Sequence, residues 1–233
     1  MMTKISSPAH IAFAGLVLFA GAAAATQEAR AEGLGVSADA GTTGVGFHLS
    51  VPLAQTLNAR FGVNYFDYSF NSSTNDVNYD AKAKLRTFDA LLDWFPFANG
   101  FRLSGGVIYN GNKVEATGTP KNNGTYTING NTYFASQAGQ VDGRIDFKKF
   151  APYVGLGYGN AVAKDQGWGF TADVGVMFQG NATTSVSNSG CTASALICSR
   201  LATDVSAENA QLNDKVHGYN LYPVLRVGVS YKF

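Results

Sequence analysis

Charge is the first thing this sequence has little of. Asp, Glu, Lys and Arg make up 14% of its 233 residues, against about 25% in an ordinary soluble domain. The 17 basic and 16 acidic side chains leave a formal net charge of +1. No dense Lys/Arg stripe exists, which argues against a nucleic-acid partner and against a polybasic lipid anchor. The 2 cysteines lack the two further ligands that a structural zinc site needs, so no metal or cofactor is expected. Long apolar runs are missing beyond residue 31, and no transmembrane helix of about 20 residues can form there. What the chain has in quantity is Gly (27), Phe (16) and Tyr (11), in a composition that is 45% hydrophobic. Few charges with many aromatics and glycines point to β-structure in a non-aqueous setting.

Residues 1–31 read as a secretory signal peptide. Lys4 supplies a positive start, Ile11 to Ala25 is an unbroken run of apolar and small residues, and Ala29-Arg30-Ala31 offers small residues at the two positions a signal peptidase reads. Cleavage after Ala31 would remove two of the 17 basic and one of the 16 acidic residues, leaving a mature domain, 32–233, with 15 of each.

The mature chain alternates with period two. Leu225, Val227, Val229, Tyr231 and Phe233 oppose Arg226, Gly228, Ser230 and Lys232. Trp168, Phe170, Val174, Val176 and Phe178 oppose Thr171, Asp173 and Gln179. Phe101, Leu103, Val107 and Tyr109 oppose Arg102, Ser104 and Asn110. Val45, Phe47, Leu49 and Val51 oppose Gly46, His48 and Ser50, and Val141, Ile145 and Phe147 oppose Asp142, Arg144 and Asp146. Such segments are strands with one apolar face. A soluble sandwich would alternate in the same way. Three features favour a membrane barrel: small, charged polar faces suited to a narrow lumen, aromatics at strand ends, and a chain that stops inside a strand at Phe233, which only a closed sheet accommodates. Trp94, Phe95, Phe97, Phe101, Phe147, Tyr153 and Phe178 are expected at one girdle, and Tyr65, Tyr68, Tyr79, Tyr109 and Trp168 at the other.

The expected fold is all-β: a closed antiparallel up-and-down transmembrane β-barrel of ten strands, with eight as the alternative. The segments are 33–41, 44–53, 58–70, 79–95, 101–114, 138–147, 151–161, 167–179, 181–188 and 220–233. Short turns at Pro52–Leu57, Pro96–Gly100, Lys148–Phe150 and Gly180-Asn181 alternate with longer outer connections at 71–78, 115–137, 162–166 and 189–219. Face parity shifts near Tyr65-Phe66 and Arg86-Thr87, which predicts a β-bulge at each. In the last outer connection, Leu201, Val205, Leu212 and Val216 form a helical stripe. A short helix capped by Thr203 is expected there, as a lid over the mouth. Cys191 and Cys198, close together in an exported chain, are expected to form a disulfide.

By parity, thirteen charged side chains point inward: Asp39, Arg60, Lys82, Lys84, Arg86, Asp89, Asp93, Arg102, Asp142, Arg144, Asp146, Asp173 and Arg226. Buried charges persist when paired, so a network filling the lumen is expected. Small barrels are filled by side chains, whereas wide water channels need about 16 strands.

Two runs carry a resemblance. Val227-Gly228-Val229-Ser230-Tyr231-Lys232-Phe233 resembles the C-terminal assembly signal of outer-membrane barrels, with Val227, Val229, Tyr231 and Phe233 as its signal residues. Ala151-Pro152-Tyr153-Val154-Gly155-Leu156-Gly157-Tyr158-Gly159 is similar to a strand of the small OmpA-like and OmpW-like barrels. The resemblance implies the cell outer membrane, contact with its lipid and the barrel-assembly machinery, but no particular activity. His48-Leu49-Ser50 resembles the His-x-Ser of lipid A deacylase barrels, which would imply an acyl hydrolase, although the sequence identifies no orienting acid. The leading expectation is a monomeric, non-enzymatic barrel, structural or binding a surface ligand through its loops. A narrow channel for ions, or for small or apolar solutes, is the second reading, and a lipid-modifying hydrolase the third.

Overall fold

The computed structural model describes residues 33–233, apart from 74–76, 98, 121–123 and 164. The expected signal segment, 1–31, lies outside the described residues. In chain order the elements are β1 (Gly35–Gly41), β2 (Gly44–Ala54), β3 (Leu57–Ser73), β4 (Val77–Trp94), β5 (Phe101–Asn110), β6 (Lys113–Pro120), β7 (Thr125–Ile128), β8 (Asn131–Phe134), α1 (Ala135–Ala138), β9 (Gln140–Asp146), β10 (Phe150–Tyr158), β11 (Gly167–Phe178), β12 (Thr183–Ser189), α2 (Ala195–Val216) and β13 (Leu221–Lys232).

Eight of these strands close a ring, in the order β1-β2-β3-β4-β5-β10-β11-β13 and back to β1, every pair antiparallel. The expectation of ten strands is corrected to eight. The two extra segments, 138–147 and 181–188, correspond to β9 and β12, which stand outside the ring with β6. Register gives the reason. Thr87 pairs with Asn110 on β5, and Lys84 with Lys113 on β6, without a change of step. Tyr109–Phe150 and Lys113–Asp146 are likewise in one register. β6 therefore continues β5 beyond a break at Gly111-Asn112, and β9 leads straight into β10. The expected turn at Lys148–Phe150 is instead a break at 147–149 in a strand that keeps its direction.

This correction reverses the strands that follow. The 159–166 connection lies with the short turns after β2 and β4: the Gly159 amide donates to the Gly100 carbonyl at 2.8 Å, and Asn58 Nδ2 donates to Asn160 Oδ1 at 3.0 Å. Gly35 pairs with Lys232 at the same end. This end is called the base. At the opposite end β3 and β4 rise past the ring, and β6, β9 and β12 add to β4 to form a crest. The wall is low at β1–β2, where only Thr42-Thr43 connects the strands. Gly44 takes φ +102° there, and Thr42 is tied to β13 by its hydroxyl, which donates to the Pro223 carbonyl at 2.9 Å.

Outward faces are apolar through the ring: Val45, Phe47, Val63, Phe88, Val154, Phe170, Val174, Leu225 and Val227 are all exposed. Trp94, Phe97, Trp168 and Phe233 gather at the base, where Tyr231 packs edge-on against Trp168 and Phe233. Tyr65, Tyr109, Phe150 and Phe178 lie towards the crest, with Tyr109 edge-on to Phe150 at 5.6 Å. Trp168 and Phe178 thus exchange their expected ends. Tyr153 and Phe95 leave the girdle altogether, being 1% and 2% exposed inside the ring. The expected bulges in β3 and β4 are absent: their pairing runs without a shift from Leu57–Trp94 to Ser73–Asn78.

The crest has its own small core, in which Tyr126, Ile128 and Tyr133 of the β7–β8 hairpin meet Leu201 and Val205 of α2. Cys191 and Cys198 are joined beside it, with Cα atoms 5.9 Å apart. α2 begins at Ala195, earlier than expected, and Ser194 rather than Thr203 is its N-cap residue. Thr203 lies inside the helix and its hydroxyl donates back to Ser199 O at 3.1 Å. The contacts of α2 are with β12 and the hairpin, a flank of the crest.

Candidate functional site: the charged lumen

Inward positions of the ring hold polar side chains, and glycine makes room for the large ones. A Cβ on Gly62 would stand 1.9 Å from the His48 ring, and one on Gly157 would stand 2.7 Å from Arg102 Nε. Gly155 and Gly175 flank the Tyr153 hydroxyl in the same way, at 2.3 and 2.4 Å.

Two clusters result. In the lower one, Arg60 from β3 joins Asp93 of β4 (Nε–Oδ2 2.9 Å) and Asp173 of β11 (Nη1–Oδ2 2.8 Å). Arg102 from β5 adds a bond to Asp173 (2.9 Å) and one to the Thr171 hydroxyl (3.0 Å), and also donates to the Gly159 carbonyl. The Ser104 hydroxyl donates to Asp93 at 2.5 Å. In the upper cluster, His48 lies between Asp39 (Nδ1–Oδ2 2.8 Å) and Asp89 (Nε2–Oδ2 3.2 Å). Arg226 Nη2 reaches Asp89 at 2.8 Å, its Nε donates to Thr43 Oγ1 at 3.0 Å, and Asn64 donates to Asp89 at 3.0 Å. Leu91, Ile108, Ala151, Tyr153, Met177 and Val224 form an apolar layer on the other side of the lumen.

Side chains of both clusters and of this layer are buried inside the ring and occupy the lumen. The lumen-lining void bounded by Ser37, Ser50, Asn58, Arg60 and Phe95 at the base measures about 10 Å³, room for roughly one water molecule.

Seven of the thirteen charges expected inside are there: Asp39, Arg60, Asp89, Asp93, Arg102, Asp173 and Arg226, all buried. The other six are corrected. Lys82, Lys84, Arg86, Asp142, Arg144 and Asp146 lie on the outer face of the crest, above the apolar zone, where water can reach them. Lys84 and Lys113 both bind Glu115 at 2.7 Å, Arg86 binds Asp67 at 3.0 Å, and Arg144 binds Asp146 at 2.5 Å. The bonds from Lys113 and Lys84 hold the Glu115 pKa down to about 2. Partial burial works to raise that of Asp67, but the bonds from Tyr65 and Arg86 outweigh it and hold it below the usual carboxylate range.

The sequence singled out His48 but not its carboxylate partners. Asp39 stands 2.8 Å from Nδ1, on the side where a catalytic acid would stand, yet Nε2 faces Asp89 and makes no bond to Ser50. A second constellation went unnoticed. Asp204, on the buried stripe of α2, accepts from Asn129 Nδ2 (3.1 Å), Asn131 Nδ2 (2.8 Å) and the Tyr133 hydroxyl, latching the hairpin to the helix. An acid placed between Leu201 and Val205 was the available signal.

The chain shares its fold with CarO of Acinetobacter baumannii. The CarO crystal structure matches with TM-score 0.52 and 24% identity over 85% of this chain and 97% of CarO. The A. baumannii CarO2 structure matches with TM-score 0.52 and 22% identity over 86% and 98%. At these identities the likeness to CarO is one of fold. No protein-family model and no curated protein matches the sequence.

Proposed function

We propose that this chain is an integral outer-membrane barrel with a sealed lumen, a structural or surface-interaction protein whose task is carried by the crest. The observation behind this reading is the plug: two ion-paired clusters and an apolar layer leave about 10 Å³ open at the base. The outward surface supports the membrane setting. Along β13, Leu221 to Tyr231 spans ten residue steps, about 34 Å of strand. At a tilt of roughly 40° that projects to about 26 Å, close to the apolar band of outer-membrane barrels. CarO, whose fold it shares, supports the same setting. Val227, Val229 and Phe233 are exposed on the outer face of β13 or just past its end, available to the barrel-assembly machinery. Monomeric barrels in lipid contact, with crest outward and base towards the periplasm, complete the proposal. No hydrolase role is proposed, because His48 addresses two carboxylates.

Planar-bilayer recording of the refolded protein tests the reading. Sealed barrels should give no discrete current steps at 1 M salt. Reproducible single-channel steps would favour a narrow conduit and remove the proposal.

A further inference from the structure

The crest sheet has two edges, and the chain treats them differently. At β12 the edge is covered: the Thr184 amide donates to Asn213 Oδ1 at 2.7 Å, and its hydroxyl donates to Asn209 Oδ1 at 2.9 Å, both from α2. At β3 the edge is open. Pairing of β3 with β2 ends at Tyr65–Val45, while pairing with β4 continues to Ser73. From Phe66 to Ser73 the far side of β3 has no strand beside it among the described residues.

The phase of the ladder tells which groups are unpaired. Phe95 N donates to Thr56 O, and Gly111 N donates to Arg86 O, each at 2.8 Å. Hydrogen-bonded pairs alternate along an antiparallel ladder, so even residues of β3 bond to odd residues of β4. The N–H and C=O groups of Asp67, Ser69 and Asn71 therefore point away from β4, into the open side. Beside them stands an aromatic row: Phe66, Tyr68 and Phe70 are exposed on one face, with ring centroids 6.4 and 6.1 Å apart. Their cross-strand neighbours Leu85, Ala83 and Ala81 are smaller. Natural edges are blunted by proline, bulges, added charge or a covering element. This one has no proline, no bulge and a single charge, Asp67.

We propose that the free edge of β3, from Asp67 to Asn71, accepts an added strand from a partner polypeptide whose apolar residues alternate. Main-chain bonds to Asp67, Ser69 and Asn71 would hold the strand, and Phe66, Tyr68 and Phe70 would pack its apolar side. Asp67 takes its bonds from Tyr65 and Arg86 at Oδ2, so a basic residue at the membrane-proximal end of the partner is favoured at Oδ1. A second copy in the same membrane is a poor occupant. Rotation about the membrane normal keeps both β3 strands running outward, which forbids antiparallel pairing. It also inverts their tilt of roughly 40°, so they would cross instead of running side by side. That last step rests on the proposed membrane setting; the edge itself does not.

The test uses the chain refolded into lipid nanodiscs and a synthetic peptide of nine residues, alternating valine and threonine with lysine at one end. Saturating peptide should slow amide exchange at Asp67, Ser69 and Asn71 by about tenfold. Phe66, Tyr68 and Phe70, already bonded to β4, should not change. A peptide N-methylated at alternate residues should lose this effect. Ser69→Pro removes one edge donor without touching the β4 ladder and should abolish binding, with the barrel's heat-modifiable gel mobility kept as evidence of folding. Uniform or absent slowing overturns the proposal, as does equal binding of the methylated peptide. A dimer in sedimentation that Ser69→Pro dissolves overturns the choice of occupant. Solubility without detergent would sink the membrane setting alone, leaving the exchange pattern to be judged separately.

Discussion

Arg60→Met tests whether the lower cluster is a fully compensated network. Arg60 donates to Asp93 at 3.1 Å, with its Nε 2.9 Å from the same carboxylate, and to Asp173 at 2.8 and 3.1 Å. Its loss is not felt equally by the two acids. Asp173 keeps Arg102 at 2.9 Å, whereas Asp93 keeps only the Ser104 hydroxyl and Arg102 Nε at 3.9 Å. Breaking a buried pair by removing one partner costs about 3–5 kcal/mol, mostly through the charge left behind. With a urea slope of roughly 2 kcal/mol per molar, the unfolding midpoint of the refolded barrel should fall by about 2 M. The diagnostic variant is Arg60→Met with Asp93→Asn. Neutralising the stranded carboxylate should recover part of the loss, giving a coupling of at least about 1 kcal/mol in a double-mutant cycle. A single-variant cost below about 1 kcal/mol, or strictly additive costs, would refute the argument that Asp93 depends on Arg60.

Gly62→Ala and Gly105→Ala form a second pair. The first drives a methyl into a His48 ring held on both sides, and should cost about 1–3 kcal/mol because its Cβ would stand 1.9 Å from that ring. The second meets nothing nearer than 3.9 Å and should be close to neutral; equal effects in urea titration would count against a packed lumen. Glu115 should titrate near pH 2 by carbon-detected NMR, against an ordinary 4.5. Because the folded pKa is the lower, its stabilisation of the crest is complete above about pH 4.5 and disappears as pH falls through 2. Salt at 1 M should move the midpoint up, and an unmoved midpoint near 4.5 at low salt would remove the paired-lysine account. Asp204→Ala should unlatch the hairpin, so that protease cleaves within 125–134 several-fold faster while the barrel's gel mobility is unchanged. Unchanged cleavage would show that Tyr126 and Ile128 suffice to hold the hairpin.

Much of the ring was legible because period-two alternation depends only on which face meets an apolar surface. The faces of β2, β5, β11 and β13 were read correctly, and with them Arg102, Asp173 and Arg226, three of the seven charges found inside. What failed was the reading of connections. Lys148-Lys149 is short, polar and followed by Phe150-Ala151-Pro152, and such a stretch resembles a tight turn. Nothing local reports that the chain keeps its direction there. That information resides in register: Tyr109–Phe150 and Lys113–Asp146 share one step across the break. The turn misread at 148–150 inverted β10 and β11 and moved Trp168 to the wrong end, and a second at Gly180-Asn181, across which β11 and β12 keep one direction, completed the excess of two strands.

The parity shifts in β3 and β4 teach a different lesson. Reading a change of face as a bulge assumes that one face stays apolar along a whole strand. Here the backbone runs on unbroken while the surroundings change: outward side chains go from Phe88 to Arg86 on β4 and from Tyr65 to Asp67 on β3, at neighbouring heights across the two strands. Inward positions change in the opposite sense, from Asp89 and Asn64 to Leu85 and Phe66. A water-soluble barrel has no reason to exchange the character of both faces at one level. The proposed membrane setting accounts for it: with an apolar slab ending at that level, the outer face would leave lipid for water just where the inner face leaves the polar plug for the foot of the crest. The same exchange accounts for the six charges wrongly expected in the lumen, which all belong to crest strands above it.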